Sequence, residues 1–338
     1  MKKIDLEAHF YTEAYLQALS KNKGYPKLVE DQKDKSRRLW YAEEVKQPFA
    51  DPLLKSLLDH DEGRLQIMDS AGVDVQILSL SAPGVEQFDP SVGTSLARET
   101  NDALSAIIKR HPDRFLGFAS LAPKRPREAA EELERCVKDL GFVGWNTHAH
   151  YGDSYLDEKQ YRPLLETVEK LNVPIYLHPT VSIVPQVKAY GFPLAGTPFG
   201  FGFEVVLCLM RMIYSGVFDE FPGLLVILGH LGEGLPFVME RIDWAYVVSF
   251  DPSLRPNISK KPSDYLRRNV LVTTSGNCYG PAFRCAYEAM GIDRILLGTD
   301  YPYEETEICM RFLQGINLSD SEKDKIYYLN AKRIGMVS

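Results

Sequence analysis

The chain begins MKKIDLEAHF, with Glu7 and His9 two residues apart in an alternating apolar run. Successive side chains on a strand point to opposite faces, so this carboxylate and imidazole share one face at a strand's exit. Seven histidines occur: His9, His60, His111, His148, His150, His178 and His230. His9, His148, His150, His178 and His230 each lie at the end of a short apolar run, and Asp300 ends another. Converging imidazoles and carboxylates are good ligands for Zn²⁺ or Mn²⁺. Glu7, His9, His178 and Asp300 supply two of each kind, and the two anions balance one divalent cation. His230 is read as a catalytic or substrate-binding group rather than a fifth ligand. Glu233, three residues on, can hydrogen-bond its ring and raise its basicity, or instead cap the next helix. His60 and His111 lie in or after helix-period segments and are expected at the surface.

The residues need elements to position them. Eight short apolar runs recur: KIDLEAHF, VDVQILSLSAP, FLGFASLAP, FVGWNTHAH, VPIYLHPT, LLVILGHLG, NVLVTTSGN and RILLGTDYP. Near-continuous apolar runs of this length suit strands buried on both faces of a parallel sheet. Helix-period segments lie between them. PREAAEELERCVKDLG opens with proline and closes with glycine, the expected helix asymmetry. Eight such alternations leave an open doubly wound sheet or a closed barrel. No G-x-G-x-x-G follows the first strand, which weakens a dinucleotide-binding reading. Count and length favour an α/β protein with a (β/α)₈ TIM barrel as a single domain, residues 1–338. Active sites of that fold lie at the C-terminal strand ends, where the histidines fall. Residues 10–56 do not fit the repeating unit and are expected as an insertion after strand one that covers the barrel mouth. Residues 180–204 form a second long loop, rich in Gly, Pro and Phe. Phe199, Phe201, Phe203 and Trp145 either line an aromatic pocket or belong to the core.

Bulk properties exclude other classes. The chain has 338 residues, is 45% hydrophobic and carries a net charge of −7. An acidic chain without a basic cluster argues against nucleic acid or an anionic membrane as partner. An anionic small substrate is still admitted, because a bound cation outweighs the global field locally. Five cysteines, odd in number and widely spaced, fit a reducing compartment. No apolar run approaches the roughly 18 residues of a membrane span. A cytoplasmic protein is expected.

Four stretches, D-x-E-A-H-F, Y-L-H-P, G-H-L-G-E-G-L-P and G-T-D-Y-P-Y-E, resemble the amidohydrolase superfamily. More narrowly, they resemble its metal-dependent non-oxidative decarboxylases, which act on dihydroxybenzoates, carboxyvanillate and aminocarboxymuconate semialdehyde. The similarity runs from Ile4 to about Ile334. Most of the superfamily carries His-x-His on strand one. Glu7-Ala8-His9 instead resembles the hydroxybenzoate decarboxylases. No lysine ends strand four, so the resemblance implies one divalent metal per subunit, Zn²⁺ or Mn²⁺, held by Glu7, His9, His178 and Asp300. It implies catalytic roles for Asp300, His230 and Glu233. It implies substrate contacts for Tyr303, His150 and His148. Arg241 would pair with a substrate carboxylate or phenolate across a subunit boundary, or else form a salt bridge with Asp243. The expected reaction is decarboxylation of an ortho-hydroxylated aromatic acid by a homodimer or homotetramer. The alternative is a hydrolase using the same metal on an ester, amide or lactone.

Overall fold

All eight apolar runs become strands of one parallel sheet. The computed structural model describes residues 2–33, 35–249 and 251–337, without the side chain of Ser249. Met1 and Ser338, the ends of the expected domain, lie outside the described residues. In chain order the strands are β1 (Ile4–Phe10), β2 (Lys27–Glu30), β3 (Arg37–Trp40), β4 (Lys46–Pro48), β5 (Val75–Leu80), β6 (Phe115–Ser120), β7 (Gly144–His148), β8 (Ile175–His178), β9 (Val226–Leu228), β10 (Val270–Thr273) and β11 (Ile295–Leu296). The large sheet runs β1-β5-β6-β7-β8-β9-β10-β11. Its ends meet: Leu6 N–H donates to Leu297 O at 2.9 Å, and His9 N–H to Tyr301 O at 2.7 Å. The fold is therefore a (β/α)₈ barrel.

Alternation along the strands sorts their side chains into two cores, apart from β1, whose register shifts between Asp5 and Ala8. Ile4, Leu6, Ile77, Phe118, Tyr176, Ile227, Leu271 and Leu296 form one cluster that fills the barrel. Their neighbours Leu78, Leu177, Val226, Leu228, Val272 and Leu297 pack outward against helix residues such as Leu104, Leu133 and Leu164. Helix 126–138 matches the sequence reading, and helix 90–110 likewise has proline in its first turn. The apolar stretch before β5 divides into helices 51–58 and 62–71. Between them Asp59 Oδ1 accepts from Asp61 N–H at 3.0 Å, a local bond that competes with helix continuation.

Residues 10–56 hold more structure than their weak periodicity indicates. Helix 13–21 starts at a Thr12 cap, and β2, β3 and β4 form an antiparallel sheet. These strands are three or four residues long and half-exposed, so alternation is hard to see in the sequence. Lys27 and Lys46 sit over the Trp40 ring, 5.2 and 4.0 Å from its centroid. Val45 packs with Val181, Val187, Ala195 and Phe201, joining the insertion to the 180–204 segment. That segment contains two short helices, 185–188 and 192–195. The next helix starts at Gly200, so it takes up the last residues of the expected 180–204 loop. A Cβ at Gly200 would lie 2.3 Å from Ala195 O, so this close approach requires glycine. Among the described residues no helix is long and apolar enough to cross a membrane. All five cysteines are unpaired.

Candidate metal centre

Glu7 and His9 are fully buried at the exit of β1, and His178 ends β8 with 5% exposure. One donor atom from each lies within 4.8 Å of the others. The wiring leaves the right atoms free. Glu7 Oε2 accepts from Thr273 Oγ1 at 2.8 Å, while Oε1 is buried without a partner. His178 Nδ1–H donates to Pro179 O at 2.8 Å, which leaves the Nε2 lone pair. His9 Nδ1 is 3.1 Å from Ser79 Oγ. His9 Nε2 stands 3.1 Å from Asp300 Oδ1 yet is not aligned for a hydrogen bond. Buried acceptors facing one another without protons between them are costly unless a cation joins them. The orphaned atoms, two carboxylates and two imidazoles fit a divalent metal on their own chemistry.

His230 stands beside this cluster. Its Nδ1 is 2.5 Å from Glu233 Oε1, so Glu233 orients the ring, while the next helix has Gly234 at its N-cap and no side-chain cap. Its Nε2 lies 3.8 Å from Asp300 Oδ2 and 3.9 Å from Glu7 Oε1. Burial disfavours the charged ring, but Glu233 and Asp300 outweigh it and hold the His230 pKa well above the usual value. Burial alone would raise Asp300, yet the His230 and His9 rings hold it well below the carboxylate range. Burial, with His9 and His148 nearby, pushes His178 down, which keeps it a neutral lone-pair donor. His230 and Asp300 both have left-handed backbone, φ 52° and 59°. Such conformations are uncommon for non-glycine residues and are concentrated at functional sites. Gly276 packs so close to His230 that a Cβ there would lie 2.5 Å from His230 Cδ2.

A cavity of about 450 Å³ opens onto the cluster. His178, His230, Glu233, Asp300, Tyr303 and Phe201 line it. Tyr303 OH is 2.7 Å from Ser81 Oγ, and its ring meets His9 edge-on at 5.7 Å. Other expected residues lie elsewhere. His148 is 1% exposed behind His178, with Nδ1 2.7 Å from Glu86 Oε1. His150 binds Val181 O at 2.8 Å and lines a separate cavity of about 180 Å³. The two histidines flank Ala149, so one strand exit sends them into different surroundings. Arg241 stacks on its own Trp244 at 5.4 Å and does not line the cavity of its own chain. Its alternative partner Asp243 is taken by Ser263, at 3.0 and 2.6 Å. Trp145 is fully buried in the core, and Phe199 is 54% exposed against Phe203. His60 is half-buried, not a surface residue: Nε2 binds Tyr11 O at 3.0 Å, and burial pushes its pKa down to about 4.

Several site residues escaped the sequence reading. Ser79 and Ser81 stand two apart at the exit of β5, the same signal that picks out Glu7 and His9. Thr273 ends β10 in the same way. Tyr41 and Gln47 reach the cavity from the insertion, and Asn277 from the loop after β10, without any local pattern. Arg64 is fully buried, and its Nη2 donates to His9 O at 2.7 Å, bracing β1 from behind.

Comparison with known proteins agrees with this geometry. The amidohydrolase family model matches residues 4–334. A gamma-resorcylate decarboxylase of Rhizobium sp. (strain MTP-10005) is 40% identical over 291 residues, 82% of this chain and 88% of that one. The 5-carboxyvanillate decarboxylase of Sphingomonas paucimobilis superposes with a TM-score of 0.89 at 31% identity, over 100% of this chain and 99% of that one. A dihydroxybenzoic acid decarboxylase of Polaromonas sp. JS666, solved with bound manganese and the inhibitor 2-nitroresorcinol, gives a TM-score of 0.85 at 36% identity, over 98% and 96% of the two chains. With residues 4–334 matched by the family model, the chain belongs to the amidohydrolase family.

Proposed function

We propose that the chain is a metal-dependent carboxy-lyase that removes CO₂ from an ortho-hydroxylated aromatic acid of the dihydroxybenzoate or carboxyvanillate type. The observation that carries this reading is the convergence of Glu7 Oε1, His9 Nε2 and the His178 ring beside Asp300 at a cavity of aromatic-acid size. The activities named for the relatives support it.

Glu7, His9, His178 and Asp300 hold one divalent cation per subunit, and their mixed N/O set accepts Mn²⁺ or Zn²⁺. When bound, the cation supplies Lewis acidity to a carboxylate and its ortho phenolate together. The His230 ring holds the transferable proton; Asp300 accepts it on a carboxyl oxygen and delivers it to the ring carbon that bears the carboxylate. The carbon–carboxylate bond then breaks, its electron pair returns to the ring, and CO₂ leaves. His230, fixed by Glu233, orients Asp300 and relays its proton. Tyr303 and Phe201 hold the substrate. Residues 10–56 cover the mouth of a single-domain barrel, a role supported by Tyr41 and Gln47 in the cavity wall. The protein is read as a cytoplasmic homodimer or homotetramer. Exposed Phe237, Trp244 and Leu254 support contact between copies. A lone 38.3 kDa species in light scattering would end the oligomer reading.

The test uses protein loaded in turn with Mn²⁺ and Zn²⁺ and a panel of ortho-hydroxybenzoates and 5-carboxyvanillate in D₂O. NMR should find a product with deuterium where the carboxylate stood. An unchanged panel with metal bound stoichiometrically would refute the reading and turn attention to esters and lactones.

A further inference from the structure

The cavity lining narrows the substrate, and this step rests on the decarboxylase reading above. The carboxylate that leaves must sit at the acid–imidazole cluster. The rest of the ring then meets an apolar wall of Phe192, Pro198 and Phe201, with Tyr41, Gln47 and Asn277 as neutral polar groups. Among the described residues that line this cavity, none is Lys or Arg. Its remaining charge is acidic, with Glu304 on the same lining. Lys188 lines the smaller cavity, which shares Tyr41 with the large one, and is paired with Glu44 at 3.4 Å.

Gln47 is oriented by its neighbour. Tyr41 OH donates to Gln47 Oε1 at 3.1 Å, which fixes the amide and leaves its two N–H donors for the cavity. Such donors suit a hydroxyl or ether oxygen. A second ring carboxylate would lose its hydration shell beside Glu304 and find no counter-charge among the lining residues of its own chain. We infer that Gln47 is a specificity-determining residue that reads an uncharged ring oxygen, and that the substrate is a hydroxylated aromatic monocarboxylate rather than a dicarboxylate.

The experiment compares 2,6-dihydroxybenzoate, 5-carboxyvanillate and salicylate, the last as substrate or competitive inhibitor, on Mn²⁺-loaded wild type, Gln47→Leu and Gln47→Arg. Wild type should favour 2,6-dihydroxybenzoate over the diacid by roughly 100-fold or more in kcat/KM, the scale set by an unpaired polar group in a closed site. Gln47→Leu should raise the KM for 2,6-dihydroxybenzoate about tenfold with little change in kcat, and leave salicylate nearly unaffected. Gln47→Arg should improve use of the diacid. Comparable use of both acids by wild type would overturn the inference, since a counter-charge would then have to come from a second copy. Equal weakening of 2,6-dihydroxybenzoate and salicylate by Gln47→Leu would also overturn it, because that pattern marks a structural role. No turnover of any ortho-hydroxy acid would overturn the decarboxylase reading and this inference with it.

Discussion

The floor and the roof of the cavity are built differently. On the floor, Glu7, His9 and His178 are almost wholly buried, and each has a second partner that fixes its free atom. In the roof, β2 to β4 are short, half-exposed and held by ring contacts such as Tyr41 on Phe192 at 6.3 Å. Strand ends hold side chains more precisely than loops do. Loops tolerate change at smaller cost to the scaffold. Chemistry on the floor and selectivity in the roof follow from that contrast.

Asp300→Asn should break the floor most severely. If Asp300 is the proton donor, kcat should fall about 10³-fold. Full turnover with metal retained would remove it from that role. Glu233→Gln comes next, with a loss of roughly 10²-fold in kcat. The same variant should lower the His230 pKa, followed by NMR titration, because Glu233 is a main cause of its elevation.

The joint between floor and roof should respond to pH. His60 binds the carbonyl of Tyr11, where the insertion begins, and burial pushes its pKa down to about 4. An unfolded histidine titrates near ~6.5, so between these values the unfolded chain binds more protons. This contribution to stability is complete above pH ~6.5 and is lost as pH falls toward 4. Urea unfolding at pH 7 and 4.5 should differ by on the order of 2 kcal/mol more in wild type than in His60→Gln. Equal pH dependence in the two proteins would exclude His60 as the cause.

Smaller effects sharpen the contrast. Ser79→Ala removes the partner of His9 Nδ1 and should weaken Mn²⁺ binding about tenfold by calorimetry. In the roof, Lys46→Ala removes a cation from the Trp40 face. It should cost less than about 1 kcal/mol in thermal unfolding and leave kcat unchanged. A loss of turnover there comparable to Glu233→Gln would mean that the roof takes part in the chemistry.

Much of the floor was legible because alternation is local. Glu7 and His9 share a face by spacing alone, and eight apolar runs, five of them ending in His or Asp, announce a barrel whose strand exits converge. Ser79 and Ser81 carried the same signal, but serine at a strand exit is too common to stand out. Only the tertiary structure separated His148 from His150, seated Trp145 in the core and turned Arg241 onto Trp244. Glu7 meets Thr273 across 266 residues of sequence, and that meeting depends on barrel closure, not on any local pattern. Which elements form, and which faces their acids and imidazoles share, can be read from local sequence, since backbone geometry sets side-chain direction. The tertiary structure decided which of those groups meet, because contact depends on how distant elements pack.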